Sequence, residues 1–216
     1  MTQPSRRLAE ATALGAIGGV LAGGCWSVVG LAAPAAVIGG ANGLLSGARA
    51  TYSRDRVGLA AFALDSTWAL ATTAGSLGVH LIDTIVRTPY LSELSRRRNR
   101  HVYESGFTPR RGYAVTVGNV ISAAGDVTVE SRQRLVDEHE ETHVWQARFL
   151  GPLFAPAYLG WSALGATLGA IRWLTLSRPR PRLVSVVDGL AYRANPFEQW
   201  AERRPIRLGR VRATGR

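Results

Sequence analysis

Leu135-Val136-Asp137-Glu138-His139-Glu140-Glu141-Thr142-His143-Val144-Trp145-Gln146-Ala147-Arg148-Phe149-Leu150 governs how the rest of the chain is read. Residues 132–150 have the length and composition of a helix. His139 and His143 stand four residues apart, so a helix turns both imidazoles to one face, where they can share one metal ion. Glu140 follows the first histidine directly and lies beside such an ion, placed to take a proton from its bound water. The competing reading is a solvated, carboxylate-rich helix face, since Asp137, Glu138 and Glu141 crowd the same segment. The chain has only four histidines, and two of them fall on this turn, which favours the metal.

A catalytic zinc site takes a third protein ligand and leaves its fourth position to water. Downstream, Asn195-Pro196-Phe197-Glu198-Gln199-Trp200-Ala201-Glu202 opens with Asn-Pro, a helix-start signal, and puts Glu198 in the first turn. With these two motifs the sequence resembles the gluzincins, zinc metallopeptidases in which a second, downstream helix supplies a glutamate ligand. The resemblance covers residues 135–202, and its first motif is far more specific than its second. It implies Zn2+ held by His139, His143 and Glu198, with Glu140 as general base and a peptide or protein as substrate. Glu202, one turn on, is the second choice for the third ligand; Asp188 and His101 are weaker candidates. Tyr192 stands where some gluzincins place a hydroxyl near the oxyanion, although packing at a domain edge explains it more simply. Gln146, one turn beyond His143, either orients a ligand from behind or is a surface glutamine.

Working outward, residues 11–48 hold no charged side chain. One bilayer crossing needs about 20 residues, so this run suits a hairpin of two short spans, with Pro34 as the break. Arg6 and Arg7 precede it and Arg49, Arg54 and Arg56 follow, which places both ends in the cytoplasm by the positive-inside rule. Gly15, Gly19 and Gly23, then Gly39, Gly43 and Gly47, recur at every fourth residue and give each half a smooth face for close helix approach. The segment resembles the glycine zippers of small membrane proteins, and a homo-oligomer through these faces is one expectation. A Gly/Ala-rich apolar linker is the plainer alternative.

The chain carries 26 Lys and Arg against 15 Asp and Glu, a formal charge of +11, which points to an anionic partner. Cys25 is the single cysteine, so no zinc-finger spacing exists, and basic and aromatic residues are not interleaved. Anionic lipid therefore ranks well ahead of nucleic acid.

Between these landmarks, residues 57–82 are apolar but contain Asp65, which suits a core or interfacial helix better than a span. Residues 101–107 and 113–121 read as strands, with a third at 127–129, forming a small antiparallel sheet; the resemblance to zincins implies that its 114–121 segment lies by the site. No glycine-rich phosphate loop follows any of them. Residues 149–171 are again free of charge. A single crossing there would separate His143 from Glu198, and Arg172, Arg178, Arg180 and Arg182 oppose a second crossing, so the stretch is expected to bend, pack on 57–82 and rest on the membrane.

The expected architecture is α+β and mainly helical. Residues 1–52 form an N-terminal membrane helical hairpin, 53–208 a zincin-like metallopeptidase domain with a small antiparallel sheet, and 209–216 a basic tail. The expected function is a membrane-associated, zinc-dependent metallopeptidase with its catalytic domain on the cytoplasmic face. The alternative is a non-catalytic glycine-zipper membrane protein that oligomerises, its zinc site structural or vestigial.

Overall fold

The charge-free N-terminal run folds as an antiparallel pair of helices, α1 (Gln3–Trp26) and α2 (Ala32–Arg49), joined by a 3-10 turn at Ser27–Val29. The computed structural model describes residues 3–203, so the tail at 209–216 and the end of the 53–208 unit lie outside the described residues. Pro34, the expected break, instead sits in the first turn of α2, where its missing N–H costs no helical bond. The chain reverses at Gly30, whose φ of 76° would strain a residue with a β-carbon. The glycine stripes face each other across the hairpin: a methyl on Gly43 would overlap the Leu14 carbonyl, and one on Gly39 the Gly18 carbonyl.

The 57–82 stretch forms two helices, α3 (Arg56–Ser66) and α4 (Leu70–Ile85). Asp55 caps α3 by accepting from the Gly58 N–H at 2.9 Å. Near the other end Asp65 is buried, as a core helix requires, and its partner is Arg148 at the end of the motif helix. Arg148 Nε and Nη2 donate to the two Asp65 oxygens at 2.9 and 2.8 Å. The Tyr52 hydroxyl adds a donor at 2.8 Å, Asn42 donates to Tyr52 at 3.1 Å, and Asn119 donates to Asn42 at 2.9 Å. This chain of bonds fastens α2, α3 and the sheet to the helix that carries the histidines.

After a short helix, α5 (Ser92–Ser95), the sheet has three short strands, β1 (His101–Val102), β2 (Val115–Val117) and β3 (Val120–Ser122), in the order β1-β3-β2. It is mixed rather than antiparallel as expected: β1 runs parallel to β3, and β2 antiparallel to it. The reason lies in residues 113–121, which are not one strand. Gly118, at φ 55°, and Asn119 form a two-residue hairpin loop inside them. The third expected strand is also absent; at 127–129 the chain turns, with Asp126 accepting from the Thr128 N–H at 2.9 Å.

Val102, Ile121 and Ala124 pack against Val136 and Val144, which seats the motif helix on the sheet. That helix consists of α6 (Glu130–Arg134), a wide π-helical turn at Leu135–Glu140, and α7 (Glu141–Leu150). A 3-10 turn at Gly151–Leu153 leads into α8 (Phe154–Thr175). The chain returns along α8 through α9 (Leu183–Asp188), a π-helical turn at Gly189–Arg193 and α10 (Pro196–Arg203). Only the start of the 149–171 stretch packs on the α3–α4 corner as expected, with Gly151 against Trp68; α8 runs on without the expected bend and packs chiefly on α9 and the turn after it. Gly165 meets the Leu190 carbonyl and Gly169 meets Val187, contacts that a β-carbon would block. The return brings α10 back to α7, so both motifs lie on one side of the molecule.

Candidate metal centre

His139 lies in the π-helical turn and His143 in the first turn of α7, the two rings edge to face with centroids 4.8 Å apart. A π turn widens the helix locally and recurs at functional sites. Arg100 holds this wide turn from behind. It is 1% exposed, donates to Asp137 at 2.6 Å and pairs with Glu141. Two of the carboxylates that suggested a solvated face are thus tied to a buried cation.

Glu198 arrives from α10. Asn195 starts that helix by accepting from the Phe197 N–H at 3.0 Å, and Pro196 fills the first position. The fourth residue of the motif then points at the histidines: Glu198 Oε2 lies 3.3 Å from His139 Nε2, and Oε1 lies 3.4 Å from His143 Nε2. The two Nε2 atoms are 3.1 Å apart. A tetrahedral zinc with bonds of about 2.0–2.1 Å holds its donor atoms about 3.3–3.4 Å apart, close to this spacing. Among the described residues, these three form the one group of His, Cys, Asp or Glu near enough together to hold a metal ion.

Two details fit an ion better than a hydrogen-bonded core. Glu198 Oε2 is buried and makes no hydrogen bond, an arrangement that costs about 1–3 kcal/mol or more for a charged acceptor unless something else meets it. The tautomer of His143 is also fixed. Gln146 Nε2 donates to the Phe197 carbonyl at 3.0 Å, so its Oε1, 2.8 Å from His143 Nδ1, must accept from that ring. In the neutral ring this leaves the Nε2 lone pair directed at Glu198 and His139. Gln146 is fully buried and supports the site from behind, as one reading of its spacing proposed.

Electrostatics inside the cluster are reciprocal. Burial works against a charged His143, but the Glu198 and Glu140 carboxylates outweigh it and raise its pKa. Burial alone would raise the Glu198 carboxyl; the two imidazoles, with Tyr158, hold it well below the usual carboxylate range. The charge that binds a proton here is the charge a cation would meet.

Glu140 borders the same cleft, of about 300 Å³, which is lined by Thr108, Tyr113, Val115, Phe154, Tyr158 and Tyr192 beside the triad. The Thr116 hydroxyl on β2 donates to Glu140 Oε2 at 2.6 Å and sets the direction of the carboxylate. Tyr158 on α8 donates to Glu198 Oε1 at 2.6 Å. Neither contact was anticipated. Thr116 is one of several threonines without a motif, whereas a tyrosine inside the charge-free 149–171 run was a usable signal, because a buried hydroxyl seeks a partner. Tyr192 lines the cleft from the π-helical turn; burial first, then the Glu198 carboxylate, push its pKa up, so it stays a protonated donor. The other candidates stand apart. Glu202 is exposed on α10, Asp188 pairs with Arg110 at 3.2 Å, and His101 is buried against Ser46 and Tyr90 at 3.0 Å each.

The chain was compared with protein families, with characterised proteins and with solved structures, and it matches none of them.

Proposed function

We propose that this chain is a membrane-associated, zinc-dependent metallopeptidase with a gluzincin-type ligand set. The observation that carries the proposal is the meeting of His139, His143 and Glu198, whose buried Oε2 makes no hydrogen bond, on the wall of a cleft that Glu140 also borders. His139, His143 and Glu198 would hold the ion, and when bound it supplies Lewis acidity toward a carbonyl and acidifies water. Glu140 is the residue placed to accept a proton and return it to a leaving amine, with Thr116 keeping its carboxylate in position. Tyr192 offers a protonated hydroxyl to developing negative charge on the substrate oxygen. β2 is an edge strand of the sheet, and its residues from Ala114 to Thr116 line the cleft, which suits an extended peptide laid beside it.

A purely structural zinc site has four protein ligands and is closed. Three ligands, an adjoining cleft and an acid beside them favour catalysis over the non-catalytic reading. For the membrane, α1 and the 3-10 turn after it contribute the segment Pro4–Val29, which among the described residues is the one helix long and apolar enough to cross a bilayer. The arginines flanking the hairpin favour a cytoplasmic domain.

Metal analysis of the purified protein tests the site: wild type should carry zinc, and His139→Ala and Glu198→Ala should not. Glu140→Gln should keep the metal and lose about 10²–10⁴-fold in hydrolysis of an unfolded protein substrate, the range of a general acid–base group. Unchanged hydrolysis in that variant would remove Glu140 from its role.

A further inference from the structure

α8 buries a narrow stripe and leaves the rest of its surface bare. Its inward side carries Phe154, Tyr158, Gly165 and Gly169, which meet α9, α10 and the turn between them. Leu159, Trp161, Leu164, Leu168, Ile171 and Leu174 face outward, with Leu159 64% and Leu174 62% exposed. A helix washed by water carries charges on its outer side; residues 149–171 have none.

This surface does not end at α8. Trp26 Nε1 donates to the Thr67 carbonyl at 2.9 Å, and Trp68 Nε1 to the Phe149 carbonyl at 3.0 Å. Those bonds link the tip of the α1–α2 hairpin, the α3–α4 corner and the root of α8. At all three the apolar residues are exposed: Val28 and Val29, then Trp68, then Phe149 and Leu153. The opposite end of the hairpin is charged, with Glu10 accepting from Arg54 and Arg97, each at 2.9 Å. At the far end of α8 stand Arg172, Arg178 and Arg182, all exposed.

We propose that α8, the α3–α4 corner and the hairpin tip together enter one leaflet of an anionic bilayer, with the arginines beyond α8 seated among its headgroups. Continuity and charge decide the occupant. An apolar surface this continuous marks an interaction site, tryptophan suits the lipid–water boundary, and arginines flanking an apolar helix reach anionic headgroups along their own apolar stems. Phe154 and Tyr158, on the inward side of the same helix, line the cleft, so α8 stands between the cleft and the lipid. The proposal stands whether or not the chain hydrolyses peptides.

The test uses the full chain with Cys25→Ser, reconstituted into phosphatidylcholine vesicles with and without phosphatidylserine. Single cysteines, Leu153→Cys, Leu164→Cys and Val28→Cys, carry an environment-sensitive fluorophore, with Glu93→Cys as a water-facing control; circular dichroism confirms that each variant is folded. Nitroxide-labelled lipid should quench the label strongly at 153, 164 and 28 and leave 93 bright. Replacing Arg172, Arg178 and Arg182 with glutamate should weaken the quenching at 164 in phosphatidylserine vesicles. Quenching at 28 alone would show that only the hairpin enters the lipid and would overturn the proposal. A label at 164 that is shielded without lipid, in a chain that cross-links as a dimer, would assign the surface to a second copy instead.

Discussion

Asp65 and Glu198 are both carboxylates buried beneath helices, and each faces the helix that carries the histidines, one at its end and one at its start. Around Asp65 every oxygen is answered: Arg148 reaches both and Tyr52 adds a third bond. Around Glu198, Oε1 accepts from Tyr158 and faces His143 Nε2, whereas Oε2 makes no hydrogen bond and faces His139 Nε2 at 3.3 Å. A permanent cation makes the first pair part of the scaffold. The second is a set of two imidazoles and a carboxylate, which responds to whatever cation is present, proton or metal. An orphaned oxygen alone is not enough to draw this distinction. Asp83 Oδ2 also lacks a partner, yet Asp83 belongs to no group of potential ligands.

The two acids should therefore fail differently. Asp65→Asn leaves Arg148 buried without its countercharge, a loss of about 3–5 kcal/mol. Unfolding in denaturant should show that loss equally in zinc and in EDTA. If zinc restored the stability, Asp65 would belong to the site rather than to the frame.

Glu198→Gln should show the opposite pattern. Its amide oxygen can still accept from Tyr158, so in EDTA at alkaline pH, where His143 carries no proton to lose, the variant should unfold close to wild type. Zinc at 100 times its dissociation constant should stabilise wild type by about 2.7 kcal/mol, and the variant at the same concentration by almost nothing. Calorimetric midpoints with and without zinc measure both. An equal zinc response in the two chains would move the third ligand elsewhere, with Glu202 the first position to test.

What could be read in the sequence is what depends on neighbours along the chain. Histidines four apart on a helix, the Asn195-Pro196 start that aims Glu198, and the glycine stripes of the hairpin are all local patterns, and each stands where its spacing put it. The position of the hairpin turn was legible but misjudged: Pro34 fits a first helical turn as well as a break, and Gly30 took the reversal. Likewise Gly118-Asn119 is a short hairpin loop hidden in an apparently continuous strand. The parallel pairing of β1 with β3 joins segments that are distant in sequence, with β2 between them. No periodicity encodes it. The same holds for Arg148 with Asp65, Arg100 with Asp137, Thr116 with Glu140 and Tyr158 with Glu198, each of which depends on where a separate element docks.

Smaller effects sharpen the contrast between frame and site. Gln146→Ala frees the His143 ring to turn and to change tautomer, and should weaken zinc binding by about 10–100-fold, as losses of such outer partners do. Competition with a chromophoric chelator measures this. Tyr158→Phe removes one bond to Glu198 without disturbing either histidine and should fall at the lower end, about tenfold. An affinity unchanged by both substitutions would mean that the triad needs no outer support.

The smallest effect concerns the proton that stands in for the metal. In EDTA the raised pKa of His143 stabilises the folded chain fully below 6.5, the unfolded value, and that gain is lost as pH rises through the folded one. Glu198 acts in the other direction. Its depressed pKa contributes stability above 4.5, which is lost as pH falls through the folded value. Between those limits both contributions are complete, so the metal-free site is most stabilising in mildly acidic solution. Buried His80, lowered to about 3, and His101, lowered as well, pull the remainder of the fold the opposite way, losing stability as pH drops below 6.5. The difference in thermal midpoint between wild type and Glu198→Gln, followed from pH 5 to pH 9 in EDTA, isolates the site from that background. It should shrink toward alkaline pH in EDTA and grow in zinc, where the ion replaces the proton and its binding strengthens as the imidazole deprotonates. A difference that ran parallel in the two conditions would place the Glu198 charge in the frame with Asp65.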